Sequence, residues 1–200
     1  MSPHRTHLLA LILFGLWLAM LLLGGPASEA DPALLALFHA PALIPAAEAV
    51  TQLGNWTLLI PLSVAGAVLL AWRVSRKAGL VYLAMVFAGR AVIEFEKAEI
   101  ARQRPPPLGR MVEVSSLAFP SAHAAYSMTA WLGLALLAAP PRHRAAAVSV
   151  AVGVAIVVGL TRLVLAVHWP SDVIGGWAFG AAWALLFARL AEGTPPTPRH

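Results

Sequence analysis

Three short stretches of the chain hold residues that could handle a phosphate. In the first, Lys97 and Arg104 are followed by Pro105, Pro106 and Pro107. Their separation is nearly two helical turns, so both cations can lie on one face of a helix that the prolines then stop. Lysine is a mobile point charge and arginine a planar fork, a combination suited to phosphate oxygens. In the second, Phe119-Pro120-Ser121-Ala122-His123 stands where an apolar run begins. A helix starting there would offer an anion unpaired backbone N–H groups and a positive dipole end, with the Ser121 hydroxyl and a His123 able to carry a proton near neutral pH. In the third, Thr161-Arg162 precedes His168-Trp169-Pro170-Ser171-Asp172. If the chain turns helical near Pro170, the spacing of four lets the Asp172 carboxylate reach the His168 imidazole. That fixes the tautomer and leaves the other ring nitrogen free to attack.

Each cluster taken alone has a plainer reading. Lys97 and Arg104 could be a snorkelling interfacial pair, Ser121 a simple N-cap beside a polar His123, and His168 with Asp172 a pair that caps a helix.

The elements that must position these residues are membrane helices. The 200 residues are 60% hydrophobic and 12% charged, with a mean hydropathy of +0.77. Apolar runs approach the roughly 20 residues that a helix needs to cross a bilayer core. The pattern predicts an all-α polytopic membrane protein, a single domain over residues 1–200 with the clusters inside 97–172. Its six spans are 8–23, 56–72, 80–98, 122–138, 145–163 and 173–191. The first run also has signal-peptide length, and Ser28-Glu29-Ala30 resembles a cleavage site; a retained helix is the preferred reading, and both leave residue 31 outside. Asp31-Pro32 reads as a helix start with an N-cap acceptor. Pro41 and Pro45 interrupt that helix, so 31–53 reads as a broken segment at the outer surface that could border a lipid entrance, or equally as a packed connecting loop. Trp56 and Trp72 bracket the second span as interfacial indoles, and Pro61 inside it predicts a kink. Arg90 and Glu94, four apart in the third span, are expected to pair inside the bundle. The proline-rich tail 194–200 reads as a cytoplasmic end.

The formal charge of +5 does not point to nucleic acid, because the basic residues are scattered over short loops and form no stripe. Their distribution sets topology instead. Arg5, Arg73, Arg76, Lys77, Arg142, Arg144, Arg189 and Arg199 mark the inner face, and both termini are cytoplasmic; Glu29, Asp31 and Glu48 fall outside. The outer loops nevertheless carry Lys97, Arg102, Arg104, Arg110 and Arg162, which orientation alone does not explain. Cations gathered at one face beside histidines and an aspartate suggest an anion site. The plain readings would all have to hold together at three positions that the topology brings to one face. With no cysteine in the chain, disulfides and thiolate chemistry are excluded. No carboxylate cluster has metal-ligand spacing.

Lys97 with Arg104-Pro105, Pro120-Ser121-Ala122-His123, and Arg162 with His168 and Asp172 together resemble the tripartite signature of the type-2 phosphatidic acid phosphatase superfamily, over the third to sixth spans. The resemblance implies a six-helix core with an active site at the outer face, in a bacterial inner membrane with the site on the periplasmic side. It implies His168 as the nucleophile that forms a phosphohistidine, Asp172 as its orienting partner and His123 as the acid for the leaving oxygen. Lys97, Arg104, Ser121 and Arg162 would hold the phosphate, with the backbone near Ala122 and His123. Ala122 stands where the family usually has glycine, adding a methyl that narrows the pocket, and Thr161 replaces a common serine. No cofactor or metal is expected, since fixed cations can stabilise the equatorial oxygens of a phosphoryl transition state. The expected substrate is a lipid phosphate or diphosphate, undecaprenyl diphosphate ahead of phosphatidylglycerophosphate and phosphatidate. A lipid phosphotransferase would use the same residues. A transporter would place its ionisable groups near the midplane and show related halves, which this chain does not.

Overall fold

A computed structural model describes residues 3–106 and 116–191. Pro107, Arg110 and the 194–200 tail with Arg199 therefore lie outside the described residues. Eight helices and no strand are present among those described: α1 Pro3–Leu23, α2 Ala30–Ala36, α3 Ile44–Thr51, α4 Trp56–Arg73, α5 Arg76–Ile100, α6 Ala122–Ala138, α7 Arg144–Val164 and α8 Pro170–Ala191. Five of them, α1, α4, α5, α7 and α8, are long and apolar enough to cross a membrane; α6, at the fourth expected span, is apolar but shorter. Their outer surfaces keep large apolar side chains exposed, such as Leu11, Leu22, Trp72, Leu80 and Val150. That is the surface lipid requires and water would penalise.

Local chemistry fixes the helix ends. Asn55 caps α4 by accepting from Thr57 N at 3.1 Å, and Ser75 caps α5 by accepting from Ala78 N at 3.1 Å. Only Val74 and Ser75 separate α4 from α5, so the two pack as antiparallel neighbours. At the other end of α5, Ala101 takes a left-handed conformation at φ 51° and ends the helix. Inside α6, Met128–Leu132 forms a π-helical turn.

α8 is the central element, packed against α1, α5, α6 and α7. Its approach to α6 depends on two glycines. A Cβ on Gly176 would stand 2.7 Å from the Ser121 carbonyl oxygen, and one on Gly180 would stand 2.6 Å from that of Ala125. Backbone against backbone at this range holds the start of α6 beside the start of α8, and Ser121 N donates to the Asp172 carbonyl at 2.9 Å.

Several expectations are corrected here. The segment 31–53 is broken as predicted, with α2 and the stretch from Pro41 to Gly54 bent by 73°. Asp31, however, is not its N-cap. Glu29 holds that position without a side-chain bond, and Asp31 is buried, accepting from Gly25 N and Ser171 N. Arg90 and Glu94 form no ion pair among the described residues. The Arg90 guanidinium lies over the Trp56 ring at 4.4 Å, while Glu94 accepts from the Tyr126 hydroxyl. Trp56 is consequently a packed residue, against Phe87 and Tyr126 as well, whereas Trp72 is 71% exposed as an interfacial indole would be. Pro61 leaves α4 helical from Trp56 to Arg73.

Candidate active site

The three clusters meet at one end of the bundle. Lys97, in the last turn of α5, is buried and donates to the Leu117 carbonyl at 2.6 Å. Arg104 is not on the same helix. The left-handed Ala101 stops α5 before the prolines are reached, and an irregular stretch carries Arg104 to the site. The shared-face expectation for Lys97 and Arg104 is therefore wrong in detail, although both cations arrive at the same place. Arg104 donates to the carbonyls of Ser116 and Val167 and to Ser116 Oγ at 2.9 Å. A further N–H of its guanidinium stands 3.0 Å from His168 Nε2.

Ser121 precedes α6 as its N-cap residue but makes no capping bond; its hydroxyl is buried with no hydrogen-bond partner among the described residues. The first N–H groups of the helix, including those of Ala122 and His123, belong to the turn that has no intrahelical acceptor. From α7, Arg162 is buried and bonded through one terminal nitrogen to Thr51 Oγ1 at 2.8 Å, and its Nε has no hydrogen-bond partner among the described residues. A buried hydroxyl and a buried guanidinium N–H are donors of the kind that an oxyanion can satisfy.

Between α7 and α8 the chain reverses through Ala166, at φ 51°, with Val167 N donating back to the Arg162 carbonyl. Asp172 lies in the first turn of α8 and is fully buried. Its Oδ2 accepts from Trp169 N at 2.9 Å and stands 3.3 Å from His168 Nδ1, the i,i+4 contact expected from the spacing. A carboxylate facing Nδ1 places the ring proton there, so Nε2 keeps its lone pair on the side where Arg104 donates. Burial comes first in holding the His168 pKa well below its ordinary 6.5, followed by the fields of Arg104, Lys97, Arg162 and His123. A pKa held that low keeps the imidazole neutral near pH 7, amid cations that would attract an anion.

Beside this centre lies a largely apolar cavity of about 990 Å³, walled by Leu35 and Ala36 of α2, Ile44 of α3, Leu163 of α7 and Trp169, and reaching Arg104. The broken segment α2–α3 is therefore a wall of a recess that reaches Arg104. Among the described residues no three carboxylates or histidines cluster so as to hold a metal ion.

Sequence reasoning brought His168, Asp172, Arg104, Lys97, Ser121, Ala122, His123 and Arg162 to this end of the molecule, and the structure gathers them there. It missed the place of Arg102, whose guanidinium pairs with Asp172 Oδ1 at 3.0 Å, and Ser171, which contacts Asp31. A cation in an outer loop, close before the prolines, was the available signal for the first. Nothing in the sequence links Asp31 to Ser171.

The chain is similar to known proteins along most of its length. The model of the PAP2 superfamily matches residues 78–194. The phosphatidylglycerophosphatase B of Bacillus subtilis is 31% identical over 193 residues, 92% of each chain. The decaprenylphosphoryl-5-phosphoribose phosphatase of Mycobacterium tuberculosis is 34% identical over 165 residues, 79% of this chain and 86% of that one. The crystal structure of a transmembrane PAP2 type phosphatidylglycerolphosphate phosphatase from Bacillus subtilis superimposes with a TM-score of 0.83 at 26% identity, covering 92% of this chain and 96% of that one.

Proposed function

The chain belongs to the PAP2 superfamily and is an integral membrane phosphatase acting on lipid phosphate, and on that premise we propose that it removes the terminal phosphate through a phosphohistidine on His168. The observation that carries this reading is the two-sided engagement of the imidazole, Nδ1 toward Asp172 and Nε2 toward Arg104. In the first step the Nε2 lone pair attacks phosphorus, the P–O bond to the lipid breaks, and His123 gives a proton to the departing oxygen. In the second, water attacks phosphorus while His123 takes a proton from it, the P–N bond breaks, and phosphate leaves with His168 neutral again. Lys97, Arg104, Arg162, the Ser121 hydroxyl and the N–H groups at the start of α6 hold the equatorial oxygens. Donors fixed before the reaction are worth most where charge develops in a site closed to water.

Two head groups come forward. The family resemblance leans to undecaprenyl diphosphate with no head-group residue that separates the two, whereas the Bacillus relative, similar along nearly the whole of both chains, is named for phosphatidylglycerophosphate. That coverage puts phosphatidylglycerophosphate first. The apolar cavity beside Arg104 suits the first carbons of either tail. The lysine and arginine bias of the loops supports a site on the periplasmic face of a bacterial inner membrane.

The test is phosphate release by the purified protein over phosphatidylglycerophosphate, undecaprenyl diphosphate, phosphatidate and diacylglycerol pyrophosphate. Release is expected from the wild type and none from His168→Ala of normal insertion. Near wild-type turnover by that variant would overturn the nucleophile; release only when an acceptor lipid is added would make the enzyme a phosphotransferase.

A further inference from the structure

Asp172 is held from two sides. Oδ2 faces His168 and the Trp169 N–H, while Oδ1 accepts from an Arg102 terminal nitrogen at 3.0 Å. Arg102 lies in the irregular stretch after α5, two residues before Arg104, and is itself buried at 8% exposure. The same nitrogen reaches Ser171 Oγ at 3.0 Å. The other terminal nitrogen donates to the carbonyls of Met20 and Leu21, at 3.0 and 2.6 Å, in the last turn of α1. The Arg102 Cζ lies over the Phe119 ring, 4.3 Å from its centroid. Beyond Ser171, Asp31 accepts from both the hydroxyl and the N–H of that residue.

A carboxylate with no exposed surface needs a counter-charge, because an unpaired buried ion costs several kcal/mol. The His168 imidazole is neutral and cannot serve. Arg104 is spent on carbonyls and on Nε2, Lys97 on the Leu117 carbonyl, and Arg162 on Thr51. Arg102 is the cation in contact with Asp172.

We infer that Arg102 is a positioning residue for the phosphatase reaction, which neutralises Asp172 from behind and fixes the carboxylate so that Oδ2 holds His168 with Nε2 facing the phosphate. It touches neither substrate nor the reacting atoms. Its action passes through Asp172, and its own position is set by the carbonyls that end α1. The contact between Arg102 and Asp172 is single rather than forked, so a lysine can supply the charge. The contacts to Met20 and Leu21 use the second arm of the fork, which a lysine lacks.

This inference rests on the phosphohistidine reading, and the two fail differently. Phosphate release from phosphatidylglycerophosphate in detergent micelles is measured for wild type, Arg102→Gln and Arg102→Lys, with kcat and KM separated and folding followed by thermal melting. Arg102→Gln is expected to lower kcat about 10- to 100-fold, the usual effect of losing an orienting partner, with KM within about threefold of wild type. Arg102→Lys is expected to stay within about fivefold of wild-type kcat, because it keeps the charge on Asp172. Wild-type kcat in Arg102→Gln overturns the inference, as does a rise in KM alone, which would make Arg102 a substrate contact. Equal loss in both variants, or a failure of both to fold, makes Arg102 a structural staple and also overturns it. If only Arg102→Gln fails to fold, near wild-type kcat in Arg102→Lys supports the inference and a loss of tenfold or more refutes it. Near wild-type kcat in His168→Ala, assayed alongside, would instead remove the phosphohistidine reading itself.

Discussion

Asp172→Asn changes one atom of the buried carboxylate, and the contacts around it leave the amide no satisfactory orientation. Every neighbour is a donor: Arg102 at Oδ1, and Trp169 N with His168 Nδ1 at Oδ2. If the new NH2 group turns toward Arg102, a buried guanidinium loses its counter-charge and meets another donor. If it turns the other way, it faces the Trp169 N–H and forces Nδ1 to become an acceptor, which moves the ring proton to Nε2 and removes the lone pair needed for attack. Removing one partner of a buried ion pair costs about 3–5 kcal/mol. If that cost falls on the reactive tautomer, at about 1.4 kcal/mol per tenfold, kcat drops roughly 10²- to 10⁴-fold. KM should change little, since the phosphate is held by other groups. The assay is inorganic phosphate release at saturating lipid, with a thermal melt confirming that the variant is folded. A folded Asp172→Asn enzyme within tenfold of wild-type kcat would refute the idea that this carboxylate sets the tautomer.

Three further outcomes are expected. The unfolded chain protonates residue 168 near pH 6.5, whereas the buried imidazole resists protonation until well below that. The stability that its neutral burial contributes is therefore full above pH 6.5 and is lost as pH falls toward the lower folded value. Between pH 7 and pH 5 the wild type should lose more thermal stability than His168→Gln, and equal losses would contradict the shift. Phosphate release should persist in EDTA, because Lys97, Arg104 and Arg162 supply the charge; a strict need for added Mg2+ would count against that set. Ala36→Trp, placed in the cavity wall, should raise KM for long-chain lipid phosphate by about tenfold or more while sparing a water-soluble short-chain analogue, the loss of about 1.4 kcal/mol of apolar contact. Equal effects on both substrates would place the tail elsewhere.

Range along the chain decides how much of this molecule is legible in its sequence. The spans are set by local hydropathy, and the His168–Asp172 contact by a spacing of four at a helix start, so both could be read directly. Arg104 reached the expected site by an unexpected route, because a non-glycine residue ending α5 at φ 51° leaves no mark that outranks three prolines. Arg90 failed to pair with Glu94 because the Trp56 and Tyr126 rings offered the guanidinium an aromatic face that helical spacing does not encode. Asp31 and Ser171 are 140 positions apart, and only the packing of α2 against α8 brings them together.

The last turn of α1 has a consequence for how this protein can diverge. Arg102 binds main-chain oxygens there, which any side chain would supply, so the lipid-facing residues of the helix, among them Leu8, Leu11 and Leu22, are free to drift among apolar types. The two glycines just beyond it are not. A Cβ on Gly24 would fall 2.1 Å from Ser171 Oγ, and Gly25 combines φ 101° with Arg102 Nε at 3.0 Å from a built Cβ. Tolerance along this helix should therefore be lopsided. A replaced hydrophobic stretch is survivable, whereas a single methyl at its outer end is felt, through Arg102 and Asp172, at His168.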